Sequence, residues 1–339
     1  MNDTIHIAFG FDEKYAMPSG VAVLSICKTT PGPICFHLLI SEDVTESTKA
    51  KVEEMVKSEG NQVVFHQVDS KRLDSLYESM YFSKSMFNRL LIPELLPTEV
   101  TKIIYLDCDV VAVKSLRPLW EIELGDDEPA AMAPDSACSN VLFHNTTGIP
   151  LTRPYFNSGV VLINIDCWRR EGIGQKCMDD IIKHNYRLVD QDALNVVIGA
   201  RTKVLHLKYN CQMSFFYKKE EAWELEKDKY HEQIHEAMEA PVILHYIGSV
   251  KPWQEGCLES ERWLSVKAIS PWKDVPIDDK RIIGWYYPPV NFTKGTKEKD
   301  ILEITPAFYS IVEWLSNRHP RLYALMRKTL WVIAKAIKK

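Results

Sequence analysis

Nowhere in its 339 residues does this chain hold the ~18 consecutive apolar residues that a membrane-spanning helix needs. The basic, apolar, small-residue order of a secretory signal is missing as well, since Asn2 and Asp3 lead straight into the short apolar run 5–9. A cytoplasmic protein, soluble or peripheral to a membrane, is therefore expected, and the sequons at Asn2, Asn145 and Asn291 read as coincidence. No C-x-x-C pair occurs among the eight cysteines (27, 35, 108, 138, 167, 177, 211, 257). Several lie inside apolar runs, which suits free thiols in a reducing compartment and suggests no zinc site. Positive charge is in deficit, and a formal net charge of −5 excludes an overall basic footprint for nucleic acid. Internal repeats and low-complexity tracts are absent too. What remains, a chain with 46% hydrophobic residues, can bury a sizeable core as one large domain with an appendage or as two domains.

The most informative stretch present is Ile103-Ile104-Tyr105-Leu106-Asp107-Cys108-Asp109-Val110-Val111. Four apolar residues in a row suit a strand buried on both faces of a mainly parallel sheet, and ligands bind beyond the carboxyl ends of such strands. On extended backbone, residues two apart point the same way, so Asp107 and Asp109 can converge while Cys108 turns into the fold. Two acids so placed repel unless a cation lies between them, and oxygen ligands favour Mg²⁺ or Mn²⁺, particularly with a diphosphate completing the shell. The alternative is an acidic pair that opens a solvated loop or caps a helix. Val110, Val111 and Val113, rather than Gly, Ser or Asn, follow the pair and weigh against it.

Apolar runs at 5–9, 34–40, 62–66, 102–106, 129–133, 160–165, 203–206 and 242–246 alternate with helical periods near 18–28, 45–58, 83–95, 168–184, 190–199 and 229–239. The alternation predicts an α/β sheet layered by helices over 1–253. Beyond it, Pro252, Pro271, Pro276, Pro288, Pro289 and Pro306 interrupt aromatic segments, giving an irregular extension over 254–317 and helices near 301–316 and 319–337. Three further clusters stand out. Leu244-His245-Tyr246-Ile247-Gly248 with Lys251 offers a nitrogen ligand at a strand end, a glycine for close approach and a point charge for phosphate, although a strand-end His is as readily a packed core residue. Phe156-Asn157-Ser158-Gly159 opens a strand with small polar groups that can face a sugar hydroxyl or simply form a turn. Val189-Asp190-Gln191-Asp192 reads as a helix start in which Asp190 can cap, which leaves the rest of the D-Q-D run unexplained.

Taken in order, these elements resemble glycosyltransferase family eight, and in particular its bacterial lipopolysaccharide α-galactosyl- and α-glucosyltransferases. The matching elements run from Ile7-Ala8-Phe9-Gly10-Phe11-Asp12-Glu13-Lys14-Tyr15 through Phe87-Asn88-Arg89-Leu90, Asp107-Cys108-Asp109, Asn157-Ser158-Gly159 and Asp190-Gln191-Asp192 to His245-Tyr246-Ile247-Gly248 and Lys251-Pro252-Trp253. The resemblance covers about 5–253 and implies a GT-A type, Rossmann-like, mostly parallel mixed sheet flanked by helices, with a C-terminal helical extension. It implies a UDP-hexose donor, UDP-galactose or UDP-glucose, with Asp107, Asp109 and His245 as ligands to Mn²⁺ or Mg²⁺. Gly10, Asp12 and Tyr15 match the uracil and ribose loop, and Gly248 and Lys251 the diphosphate segment. Arg89, Asn157, Ser158, Gly159, Asp190 and Gln191 match the surroundings of the donor sugar. Lys14 stands where some relatives have Asn, and no contact is carried over for it.

Family membership implies that the α configuration is kept. Gln191 matches a position debated as a nucleophile, but a neutral amide is a weak one, so front-face attack with Gln191 and Asp190 shaping the transition state is favoured. An alternative is a haloacid-dehalogenase-type phosphatase with Asp107 as nucleophile, although some 100 residues precede the motif here. The tail 318–339 holds seven Lys or Arg and no acid, so it carries +7 and the remainder −12. Leu322, Met326, Leu330, Ile333 and Ile337 form an apolar stripe at helical spacing. This reads as an amphipathic helix on the anionic cytoplasmic face of the inner membrane, where a lipopolysaccharide-core or other lipid-linked acceptor would lie, or as a terminal helix docked on the domain.

Overall fold

A computed structural model describes residues 4–277 except 77–83, 137–143, 145, 151, 185, 187, 218–226, 249 and 255–256. The expected helices at 301–316 and 319–337, the basic tail and all of the extension past 277 lie outside the described residues.

The main sheet has seven strands: β1 (Ile5–Phe11), β2 (Ile34–Ile40), β3 (Gln62–Gln67), β4 (Lys102–Leu106), β6 (Ala130–Pro134), β7 (Phe156–Asn164) and β8 (Lys203–Val204), in the order β3-β2-β1-β4-β7-β6-β8. Strands β1 to β4 run parallel, β7 is antiparallel to both β4 and β6, and β8 returns parallel to β6, so the sheet is mixed and mostly parallel as expected. A second sheet holds β5 (Val110–Ala112), β10 (Ile243–His245) and β9 (Cys211–Gln212), with β10 central. The strand run β5 and the two-residue β9 were not separated in the sequence, because Val110 and Val111 continue the apolar signal of β4 across the acidic pair.

Both faces of the main sheet are covered, which is why β1, β2 and β4 are apolar almost throughout. One face, carrying Ile7, Phe9 and Leu38, packs on helix α1 (Ala16–Thr29) and on α2 (Glu46–Ser58), whose Val52, Met55 and Val56 form its buried stripe. The other face, carrying Ala8, Leu39, Ile103 and Tyr105, packs on the 3₁₀ segment Lys84–Leu91, on α3 (Ile165–Glu171) and α4 (Ile173–Lys183), and on α5 (Val189–Val197). The period expected over 168–184 as one helix breaks at Gly172, whose φ of 63° ends α3 in the left-handed region that a glycine enters without strain. Helices α6 (Lys227–Glu239) and α7 (Ser260–Lys267) follow. No helix among the described residues is long and apolar enough to cross a membrane.

Candidate active site

The reversed direction of β7 builds the site. Because β7 is antiparallel to β4, its N-terminal residues Asn157, Ser158 and Gly159 lie beside the carboxyl end of β4, and the Asp107 N–H donates to the Gly159 carbonyl at 2.9 Å. The small sheet supplies the rest. Pairing of β10 with β5 sets His245 opposite Val110, and the Tyr246 N–H donates to the Asp109 carbonyl at 2.9 Å. A strand end and a hairpin-like pairing from distant parts of the chain thus place Asp107, Asp109 and His245 around one point, their ligand atoms within 4.8 Å of one another. His245 Nε2 lies 3.3 Å from Asp109 Oδ1 and 3.9 Å from Asp107 Oδ2. Cys108 turns inward, its Sγ 3.4 Å from the Gly10 carbonyl, and burial pushes its thiol well above the ordinary range.

The residues present fit a divalent cation. Two carboxylates and one imidazole form a donor set suited to Mn²⁺ or Mg²⁺. The buried Asn210 sets the ligand geometry, with its Oδ1 2.9 Å from His245 Nδ1, which leaves the Nε2 lone pair facing the acids. Room for an ion exists because Gly159 has no side chain: a Cβ there would lie 2.1 Å from His245 Cε1 and 2.8 Å from Asp107 Oδ2. Lys251 Nζ donates to Asp109 Oδ2 and, at 2.8 Å, to the Tyr246 carbonyl. Burial alone would raise the Asp109 carboxyl, but the Lys251 ammonium against it holds it well below the usual range and so keeps it an anionic ligand.

Arg89 joins this centre to the D-Q-D run. Its Nη2 donates to Asp107 Oδ1 at 2.6 Å, its Nη1 to the Ser158 carbonyl at 2.7 Å and Oγ at 3.0 Å, and its Nε lies 3.0 Å from Asp190 Oδ2. The Tyr105 ring lies under the guanidinium, 4.5 Å from centroid to Cζ, and its hydroxyl donates to Asp107 Oδ1 at 3.1 Å. Burial would strip the Arg89 proton, but Asp107 and Asp190 overcompensate and keep it charged. Asp190 therefore does not cap α5 as expected. It lies in the first turn, paired with Arg89, and Asp192 Oδ2 instead accepts from the Leu188 N–H at 2.8 Å. Burial lifts the Asp190 carboxyl to about 6, Arg89 opposing and Asp107 adding to the rise.

Gln191 is held at both ends: Oε1 accepts from the Ser158 N–H at 3.0 Å, and Nε2 donates to Asp135 Oδ2 at 3.1 Å. The same Asp135 oxygen accepts from Asn157 Nδ2 at 3.0 Å, and Asn157 Oδ1 accepts from Asn210 Nδ2 at 2.8 Å. The hydrogen bonds close a ring from Asp135 through Asn157 and Asn210 to His245, across the candidate ion position to Asp107, and back through Arg89, Ser158 and Gln191. Next to it, Asp12 Oδ1 accepts from the Tyr15 N–H at 3.2 Å, and the Tyr15 ring meets Trp253 edge-on with 6.2 Å between centroids. Burial, with the Asp109 charge next, raises the Tyr15 phenol well above its ordinary range. Gly10 lies within β1 rather than in the loop after it, Lys14 is exposed, and Gly248 turns the chain between His245 and Lys251 with φ 84°.

Sequence reasoning missed Asp135, Asn210 and Tyr105. Asp135 carried a usable signal, since it follows the apolar strand β6 as Asp107 follows β4. Asn210 had none, because it stands between a 3₁₀ turn and a two-residue strand.

The sequence model of glycosyl transferase family 8 matches residues 6–257. The lipopolysaccharide 1,3-galactosyltransferase of Salmonella typhimurium is 26% identical over 282 residues, 80% of each chain. General stress protein A of Bacillus subtilis is 28% identical over 258 residues, 74% of this chain and 88% of that one. Among solved structures, galactosyltransferase LgtC in complex with donor and acceptor sugar analogs superposes with a TM-score of 0.70 at 25% identity, covering 79% of this chain and 96% of that one. These matches set aside the phosphatase alternative for Asp107.

Proposed function

This chain belongs to glycosyltransferase family 8 and is a metal-dependent retaining hexosyltransferase of the GT-A fold; from that premise we propose that it moves galactose or glucose from UDP to a lipopolysaccharide core or another lipid-linked glycan, forming an α-linkage. In this reading Asp107, Asp109 and His245 hold Mn²⁺ or Mg²⁺, which when bound supplies a Lewis acid for the departing diphosphate. Lys251, against Asp109, brings its charge to the same point, and Gly248 lets the backbone approach the phosphates. Gly10, Asp12 and Tyr15 receive the uridine, while Arg89, Asn157, Ser158 and Gly159 face the sugar. The catalytic domain is assigned to 1–253, the irregular extension to 254–317 and a helix on the anionic inner-membrane surface to 318–339.

Retention is assigned to front-face attack, in which the departing phosphate oxygen takes the acceptor proton and Gln191 and Asp190 shape the transition state. The supporting observation is the hydrogen-bonded ring. Both polar ends of Gln191 are committed, to the Ser158 N–H and to Asp135, which favours a positioning amide over an attacking one. The test is transfer from UDP-galactose against UDP-glucose to a truncated lipopolysaccharide core, with Mn²⁺ or with chelator. One donor should be used and chelation should stop transfer; transfer persisting in chelator counts against the assigned ligands. Gln191→Ala should lower turnover about tenfold or more while UDP still stabilises the protein thermally, and unchanged turnover removes Gln191 from the catalytic list.

A further inference from the structure

On the face of the main sheet that carries Ala8 and Leu39, β1, β2 and β3 bring together three imidazoles and a thiol. Alternation sets His6 beside Ala8 on β1, Cys35 and His37 beside Leu39 on β2, and His66 beside Val64 on β3. Ala8 and Leu39 belong to the apolar core of that face, and His6 and Cys35 lie at its amino-terminal end, with His6 half-buried. His6 is in register with Cys35, Ala8 with His37 and Leu39 with His66. His6 Nδ1 lies 2.9 Å from His37 Nε2, and His37 Nδ1 lies 3.0 Å from His66 Nε2.

Folding alone does not ask for these residues. The rest of β2 is Ile34, Phe36, Leu38, Leu39 and Ile40, and a His37 only 2% exposed beside a Cys35 only 7% exposed costs desolvation that aliphatic residues would not. One nitrogen each from His6 and His37 and the Cys35 Sγ lie within 4.8 Å of one another, close enough for small side-chain shifts to bring all three to the bonds of about 2.0–2.3 Å that one ion makes. We propose that His6, Cys35 and His37 form a second metal site, separate from the transfer centre, that takes Zn²⁺ or a similar borderline-soft divalent ion.

The chemistry separates the two sites, since two carboxylates and one imidazole favour Mn²⁺ or Mg²⁺ whereas two imidazoles and a thiolate favour Zn²⁺. His66 is the orienting partner: it holds His37 Nδ1, leaving His37 Nε2 for the ion, and the Leu95 backbone holds the His66 ring in turn. On binding, the proton shared between His6 Nδ1 and His37 Nε2 moves to the outer nitrogen of His6, and the Cys35 thiol releases its proton to solvent. One bound Zn²⁺ therefore liberates one proton and ties β1 to β2. No linear spacing announces such a site, which explains why the cysteine pattern suggested none.

Co²⁺, added to the full chain with its thiols reduced, tests the proposal. One equivalent should produce a near-ultraviolet thiolate-to-cobalt absorption that Zn²⁺ abolishes and Mg²⁺ does not, and Asp109→Asn should retain it. Cys35→Ser should lose the band, His6→Gln at the half-exposed end should weaken Co²⁺ at least tenfold, and both should keep Mn²⁺-dependent sugar transfer. Absence of the band in the fully reduced wild-type chain, or its persistence in Cys35→Ser, overturns the proposal. Loss of the band in Asp109→Asn overturns it as well.

Discussion

A single hydrogen at position 159 decides whether an ion can enter the site. Gly159→Ala would drive a methyl to within 2.1 Å of the His245 ring, which has little room to retreat because Asn210 holds its other nitrogen. Mn²⁺ affinity should fall about 100-fold or more, and UDP should no longer stabilise the protein in the presence of Mn²⁺. Mn²⁺ electron paramagnetic resonance reads this directly, and wild-type affinity in the variant would refute the cradle. Asp190 gives a second residue-level prediction. Its carboxyl titrates near 6 when folded against 3.8 ordinarily, so across that window the folded chain holds more of this proton than the unfolded one, and stability falls as pH rises. In metal-free protein the loss should reach about 2 kcal/mol between pH 4 and 6, and Asp190→Asn should lack that slope. Urea unfolding across the range measures it, with parallel pH profiles as the contrary result. At this scale Asp107, Asp109, His245 and Gln191 stood out because chemistry-bearing types lay at strand ends or in a short polar run, whereas Arg89 was picked out only by the family resemblance. Asn210 and Tyr105 were not legible, because they act by holding another side chain, and such a role leaves no spacing in the sequence.

At the scale of elements, the site depends on how closely the 3₁₀ segment that carries Arg89 sits against its neighbours. Gly174, the second residue of α4, allows this approach, because a Cβ there would meet the Leu90 carbonyl oxygen at 2.1 Å. The obstacle is backbone, so Gly174→Ala must push α4 and the segment Lys84–Leu91 apart. A loss of about 1–3 kcal/mol in unfolding free energy is expected from the overpacking. Because Arg89 shifts with its segment, turnover should fall more than UDP affinity does, and a variant with full stability and turnover would show that the contact is not limiting. The central strands β1, β2, β4, β6 and β7 were readable from apolar runs, since burial on both faces leaves little else in them. The partition at Gly172 and the strand β5 were harder, because one glycine in a helical period and a two-residue acidic break in an apolar run barely disturb the pattern that long windows detect. The antiparallel course of β7 could not be read at all, since strand direction is set by the connection and not by the residues of the strand.

Over the whole molecule, charge and chemistry are segregated along the chain. The family match covers 6–257, while the tail 318–339 concentrates +7 in a chain whose net charge is −5. In the proposed membrane association an acidic body would be repelled by an anionic bilayer and the tail drawn to it, which would orient the body relative to the surface through a term of ~1 kcal/mol per basic residue near the headgroups. If the segment is helical, as its spacing predicts, the apolar residues at 322, 326, 330, 333 and 337 would share a face able to enter the headgroup boundary. Truncation after Asn317 should therefore release the protein from anionic vesicles while leaving stabilisation by UDP and Mn²⁺ unchanged. Raising the ionic strength should weaken binding of the full chain without abolishing it, since screening removes the Coulomb part and spares the apolar part. Co-sedimentation with anionic and with neutral vesicles measures both parts. If the truncated chain still sediments with anionic vesicles, the surface that holds the membrane is on the body, and the tail is a helix docked against it.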